Sequence, residues 1–304
     1  MERFMSLGQN SSMKKTAFRK IYCEITNSCN LKCDFCPSSV DSDLQKHFMD
    51  EELFAKLIPQ LQPLTYFLCL HIMGEPLCHP NLEIFLDICS EHKMKISIVT
   101  NGTLLNENHQ RLLMHPAVLQ INFSLQSFEA NFPDQNNGEY LDAIFEFTKR
   151  TFKERSDLHI NFRLWNSENF ELSLAKNKLV IDRIQNFFEI PDEVITDLAH
   201  LGNRLKGDLY LNFADRFTWP SLDIPFESKH GTCPALKNQF GILVDGTVVP
   251  CCLDKDGITN LGNCRENSIQ EILNSERAMA MLNGFRNNRF IEPLCQHCSF
   301  NKRF

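Results

Sequence analysis

The sequence predicts an α/β protein: a partial (β/α)6 TIM-like barrel followed by a small C-terminal domain built from a β-hairpin and a helix. Three observations carry this. Through the first two thirds of the chain, short β-rich runs alternate with stretches of helical spacing, the pattern of a parallel sheet with right-handed crossovers. Six such units are present, too few for the closed eight-fold barrel. After Trp219-Pro220 the character changes: residues 231–304 hold six of the 13 cysteines, and an Asp245-Gly246 turn separates two apolar runs, a strong hairpin signal.

The strands are expected at residues 19–26, 65–72, 95–100, 118–125, 158–164 and 208–213. Between the first two, Asp50 is placed to cap a helix carrying Leu53, Phe54, Leu57 and Ile58, which Pro59 is expected to end or bend. Leu82, Phe85, Leu86 and Cys89 recur at i, i+3, i+4 and i+7, the stripe of a helix with one buried face. Leu141, Ile144, Phe145, Thr148 and Phe152 repeat it. Residues 166–206 are long for one crossover and read as one or two helices with an insertion. In the C-terminal region, runs at 240–244 and 247–249 flank the turn, and 268–282 reads as one helix. The expected domains are an N-terminal extension at 1–18, the barrel at 19–225 and the second domain at 226–304.

The 304 residues are 43% hydrophobic and 23% charged, ordinary globular composition with material for a sizeable core. A formal charge of -7 argues against a basic nucleic-acid footprint. The first twenty residues lack an apolar signal segment, and no run approaches the roughly 18 apolar residues of a membrane span. A soluble, cytoplasmic protein is expected. An odd number of cysteines without a signal segment points away from a secreted disulfide framework and towards metal ligation.

Directly after the first strand the chain reads Cys29-x3-Cys33-x2-Cys36. Three soft thiolates within eight residues suit zinc or an iron–sulfur cluster, and they leave one metal position open. Zinc would require a fourth ligand, for which His47 is the nearest candidate. This loop, with Phe35 before its last cysteine, resembles the radical S-adenosylmethionine (SAM) superfamily. Met73-Gly74-Glu75-Pro76 after the second strand is similar to that family's GGEP motif, with Met in place of the first Gly. Thr100-Asn101-Gly102 closes the third strand, as is common in the family, and Ser124 and Arg163 match positions that contact SAM's methionine end.

The resemblance implies a [4Fe–4S] cluster on Cys29, Cys33 and Cys36 whose fourth iron is chelated by SAM. It implies that Gly74-Glu75-Pro76, with the backbone carbonyl of Met73, receives the SAM amine, and that Phe35 packs beside the adenine. A 5′-deoxyadenosyl radical that abstracts a substrate hydrogen is the implied chemistry, with flavodoxin or ferredoxin as electron donor.

The C-terminal pattern is Cys233, twelve residues, Gly246, four residues, Cys251, then Cys295-x2-Cys298. It resembles the twitch/SPASM extensions of that superfamily and implies one auxiliary [4Fe–4S] cluster on Cys233, Cys251, Cys295 and Cys298. A structural zinc site, with His297 as a further ligand, is the alternative that softness leaves open. A fully ligated cluster suits electron transfer, so an oxidative enzyme acting on a small molecule or peptide is the leading expectation. A peptide- or protein-modifying maturase and a non-catalytic iron–sulfur or zinc electron carrier are the others. Cys23, Cys69 and Cys89 read as buried hydrophobes; Cys78, Cys252 and Cys264 receive no role.

Overall fold

The structure is a computed structural model and describes residues 17–37, 47–166, 170–196 and 202–303. Its strands are β1 (Ile21–Cys23), β2 (Phe67–Cys69), β3 (Lys95–Thr100), β4 (Val118–Ser124), β5 (His159–Asn166), β6 (Asn203–Lys206), β7 (Leu209–Asp215), β8 (Gly241–Ile242) and β9 (Val248–Val249). The helices are α1 (Glu51–Leu61), α2 (Leu82–Glu91), α3 (Glu107–Leu113), α4 (Gln126–Asn131), α5 (Gly138–Glu154), α6 (Phe170–Phe188), α7 (Ile269–Leu273), α8 (Glu276–Arg286) and α9 (Pro293–Gln296). The described residues form two compact units. Unit I comprises residues 31–37 and 97–216; unit II comprises 17–30, 47–96 and 217–303.

In unit I the strand order is β6-β7-β5-β4. β5 runs parallel to β4, from Gln120 opposite His159 to Ser124 opposite Arg163. It also runs parallel to β7, from Ile160 opposite Leu209 to Asn166 opposite Asp215. Side chains alternate across a strand, and the alternation here separates two chemistries. Ile121, Phe123, Ile160, Phe162, Leu164, Leu209, Leu211 and Phe213 are all buried. They meet a helix layer in which Phe145 lies 5.5 Å from Phe162 and Phe147 lies 6.1 Å from Phe123, ring to ring. Each such phenylalanine contributes about 2–3 kcal/mol by leaving water. The intervening positions are polar: Gln120, Asn122 and Ser124 on β4, with His159, Asn161 and Arg163 on β5. On that face Asn161 donates to Asn122 (3.0 Å), which donates to Ser97 of β3 (3.2 Å).

In unit II the order is β2-β1-β8-β9, and β3 is divided between the units after Ile96. β1 pairs in parallel with β2 and with β8 (Tyr22 opposite both Cys69 and Gly241), and β8 turns back antiparallel onto β9. The α/β class is therefore the observed one, with a largely parallel, open set of strands in each unit. α1 is tied to the C-terminal segment: Ile269 N–H donates to Gln60 (2.9 Å), and Lys56 donates to the carbonyl of Arg265 (3.1 Å).

Several expectations need correction. The first strand is three residues long: Arg19 and Glu24 stay on the β8 side, donating to Asn238 and Ile242, but the pairing with β2 is confined to Ile21 and Tyr22, and Ile25 already accepts from Met49. Asp50 does cap α1, accepting from Leu53 N–H at 2.7 Å. Pro59, however, stays inside the helix, which runs to Leu61. The carbonyl that loses its partner belongs to exposed Ala55, where water can replace the bond. The stretch read as helices with an insertion is α6 followed by β6, which forms an antiparallel hairpin with β7 across Gly207-Asp208. The single helix at 268–282 is two, because Ser275 accepts from Ala278 N–H and starts α8 afresh.

Candidate functional site

In unit II the site begins where β1 ends. Thr26 holds this exit, accepting from Ser28 N–H (2.9 Å) and donating to the carbonyl of His47 (2.8 Å). The loop after β2 comes in against it. Gly74 has φ +74°, and a Cβ there would lie 2.3 Å from the Thr26 carbonyl oxygen, so only glycine permits this approach. Glu75 N–H then donates to the Ser28 carbonyl (2.8 Å). The Glu75 carboxylate is buried and accepts from Leu77 N–H (3.1 Å), capping the 3-10 turn Pro76–Cys78 that Pro76 starts. On the other side of the loop, Met73 N–H donates to Glu24 (3.0 Å). The second oxygen of Glu24 accepts from Val244 N–H (3.1 Å), just before the Asp245-Gly246 turn. Burial pushes the Glu24 carboxyl up to about 7, against the two backbone donors that favour its charge.

In unit I, Cys33 and Cys36 share a tight turn, Cys36 N–H donating to the Cys33 carbonyl (3.0 Å). Asn131, the last residue of α4, reaches them: it accepts from Lys32 N–H (2.7 Å) and donates to Cys33 Sγ (3.1 Å). Burial raises the Cys33 thiol, and the hydrogen bonds from Asn131 and Ser127 pull it back. The Phe35 ring lies 4.5 Å from Trp165 of β5 and under the Arg216 guanidinium at 5.7 Å, while Arg216 pairs with Asp34 at 3.1 Å. Ser124 and Arg163 are half-buried partners in register on adjacent strands. Asn101 ends β3 by accepting from Thr103 N–H (2.9 Å), and its carbonyl takes the Tyr140 hydroxyl (2.7 Å).

The C-terminal thiols gather in unit II. Cys233, Cys252 and Cys295 stand near enough to Cys251 for their charges to oppose its ionisation, and Cys298 bears likewise on Cys233 and Cys295. Burial is the larger cause in each case; it pushes Cys233 up to about 11. Among the described residues, no three His, Cys, Asp or Glu side chains already converge on one point as a finished metal site. The donor chemistry nonetheless fits soft metal, with five thiols in one neighbourhood. Cys295 is presented by α9, whose cap residue Glu292 is gripped by Arg277 through two bonds of 2.8 and 2.7 Å. His297 Nδ1 lies 2.6 Å from the Ile224 carbonyl, so that nitrogen is already engaged. Cys23, Cys69 and Cys89 are buried among apolar residues as expected, and Cys264 is buried too.

Sequence reasoning missed Glu24, Ser127, Asn131 and Trp165. Glu24 left one readable trace, a lone carboxylate in the apolar run Ile21-Tyr22-Cys23-Glu24-Ile25. Asn131 left none, because it lies 98 residues from Cys33.

Residues 23–176 match the family model described as the radical SAM superfamily, and residues 233–299 match the iron–sulfur cluster-binding domain termed SPASM. A tungsten-containing aldehyde ferredoxin oxidoreductase cofactor-modifying protein of Pyrococcus furiosus is 26% identical over 316 aligned positions, covering 92% of this chain and 86% of that protein. An S-adenosyl-L-methionine-dependent 2-deoxy-scyllo-inosamine dehydrogenase of Niallia circulans is 33% identical over 100 residues, 32% of this chain and 40% of that one. Among solved structures, BtrN in complex with AdoMet and 2-DOIA aligns with TM-score 0.55 at 19% identity over 94% of both chains. Streptococcus suis SuiB bound to the precursor peptide SuiA aligns with TM-score 0.60 at 16% identity, over 94% of this chain and 71% of that one.

Proposed function

The chain belongs to the radical SAM superfamily and carries a SPASM iron–sulfur domain, and we propose that it is an oxidoreductase: a hydrogen atom is removed from its substrate, and the substrate radical then loses a proton to solvent or a nearby base and an electron to the auxiliary cluster. One observation in unit II carries the SAM-binding part of this reading. The Glu75–Ser28 bond and the seat of Gly74 against Thr26 hold the Met73–Pro76 turn against the segment that leads into Cys29. A turn that receives the SAM amine must stand next to the cluster that SAM chelates, and a turn held by backbone contacts suits that role without rearrangement.

The donor sets fit the family's cofactors. Three thiols, Cys29, Cys33 and Cys36, leave one iron for an outside chelator, whereas Cys233, Cys251, Cys295 and Cys298 fill every ligand position of a second [4Fe–4S] cluster. When bound, the reduced first cluster and SAM supply a one-electron cleavage of the sulfonium, whose 5′-deoxyadenosyl radical takes a hydrogen from the substrate. The chain's own residues hold and orient. Met73, Gly74, Glu75 and Pro76 receive the amine, Ser124 and Arg163 bind the carboxylate end from adjacent strands, and Phe35, braced by Trp165, flanks the adenine. A relative named as a dehydrogenase supports the oxidative outcome. The substrate is a small molecule or a peptide, the electron donor a flavodoxin or ferredoxin, and the compartment a reducing cytoplasm. Among the described residues, no helix is long and apolar enough to cross a membrane.

Anaerobically reconstituted protein given SAM and a strong reductant should release 5′-deoxyadenosine; no release above a Cys29→Ala control overturns the proposal. Iron and sulfide should each approach about eight per chain for two such clusters, and one stoichiometric zinc contradicts them. Deuterium passing from a candidate substrate into 5′-deoxyadenosine identifies the position attacked.

A further inference from the structure

We propose that Asn131, the last residue of α4, sets the reduction potential of the SAM-binding cluster by donating a hydrogen bond to the sulfur of Cys33. The inference rests on the assignment of Cys33 as a cluster ligand. Asn131 meets Cys33 through Nδ2 at 3.1 Å, and Ser127, four residues earlier on the same helix face, is buried beneath it. Ser127 is 5% exposed.

The orientation of the Asn131 amide is settled by its partners. Lys32 N–H can only donate, and it lies 2.7 Å from Oδ1, so the NH2 group must be the end that faces the sulfur. A second bond from the same NH2 to the Ser127 carbonyl, 2.8 Å, fixes the amide to its own helix. α4 follows β4 with only Leu125 between them, so its donors are placed by the sheet that carries Ser124. A hydrogen bond to a ligating thiolate draws electron density from the sulfur and favours the more negative, reduced cluster, which raises the potential. Asn131 is thus a positioning residue acting through Cys33, and it makes the first cluster easier to reduce.

The test is a reductive titration of reconstituted holoprotein, followed by electron paramagnetic resonance on the part of the signal that changes when SAM is added. Wild type is compared with Asn131→Ala, which removes the donor, Asn131→Asp and Glu129→Gln. Asn131→Asp keeps the acceptor for Lys32 N–H but turns a carboxylate oxygen towards Cys33. Glu129 is on the same helix, exposed, and pairs with Lys176 at 2.6 Å, so Glu129→Gln reports general disturbance of α4. The midpoint should fall in Asn131→Ala, fall further in Asn131→Asp, and stay put in Glu129→Gln. Unmoved midpoints in the first two at full iron content overturn the inference, as does an equal fall in all three. If Asn131→Asp assembles less iron, Asn131→Ala decides alone. A wild-type holoprotein with no SAM-responsive signal removes the functional proposal and this inference together, whereas a responsive signal that the variants leave unmoved removes only this inference.

Discussion

Gly74→Ala measures how much the approach of the Met73–Pro76 turn to β1 is worth. Alanine at φ +74° costs about 1–2 kcal/mol in backbone strain alone. The new Cβ would lie 2.3 Å from the Thr26 carbonyl oxygen and 2.9 Å from its carbon, both backbone atoms. Normal contact is about 3.5 Å, so the turn must retreat by about 1 Å. That retreat stretches the 2.8 Å Glu75–Ser28 bond past its useful range, and losing a buried pair costs a further 1–3 kcal/mol, roughly. The sum is about 2–5 kcal/mol. Gly207→Ala is the reference: φ is +56° and nothing lies within 4 Å of the added carbon, so it carries similar backbone strain and the same entropy gain in the unfolded chain without the clash. Urea unfolding of anaerobic holoprotein should separate the two by about 1–3 kcal/mol, with the SAM KM raised only in Gly74→Ala. Two variants with coincident midpoints would refute the steric argument.

Three further expectations follow from named contacts. Folded Glu24 titrates at about 7 against an ordinary 4.5, so between those values the folded chain holds a proton that the unfolded chain has lost. Its contribution to stability is therefore greatest below pH about 4.5 and declines by up to about 3 kcal/mol as the pH rises through 7. Glu24→Gln should remove that decline from a urea midpoint series, and a wild-type midpoint that stays level over this window would count against the buried-carboxyl account. Arg277→Ala leaves Glu292, 8% exposed, without its two-point partner; a cost of about 1–3 kcal/mol is expected, which Arg277→Lys restores only in part because it cannot make both bonds. Cys233→Ala should halve bound iron, from about eight to about four, while the SAM-responsive resonance signal persists; loss of both together would mean that the thiols do not form separate sites.

Local features of the fold were readable because their causes are local. Asp50 three residues before Leu53 makes a cap, and Leu82, Phe85, Leu86 and Cys89 make a buried stripe, whatever the rest of the chain does. Strand lengths were not readable, because residues 19–26 divide their hydrogen bonds among partners at 48, 68, 238 and 242. Two breaks did leave local marks that the period count overrode. Ser275-Glu276 is an N-cap inside an otherwise continuous helical pattern, and Gly207-Asp208 is a hairpin turn at the end of a stretch assigned to helix. The first thiol loop was legible as three positions in eight residues. The side chains that brace it, Asn131, Trp165 and Arg216, come from 98 or more residues away, and no pattern in the sequence joins them to it.

The pairing of β1 with β8 constrains the order in which the chain can be built. Tyr22 is among the first described residues to leave the ribosome, yet one of its strand partners, Gly241, is 219 positions later. Until then β1 has β2 on one flank and an open edge on the other, the kind of surface on which other extended chains add. The strands β4, β5 and β7 are all made well before that closure, and their pairs span much shorter loops. A released chain ending near residue 220 should accordingly protect these strands from protease while residues 17–30 remain cleavable. Whatever holds the early strand during that interval, a chaperone or slow local pairing, determines how much of the chain reaches the stage at which iron can be loaded.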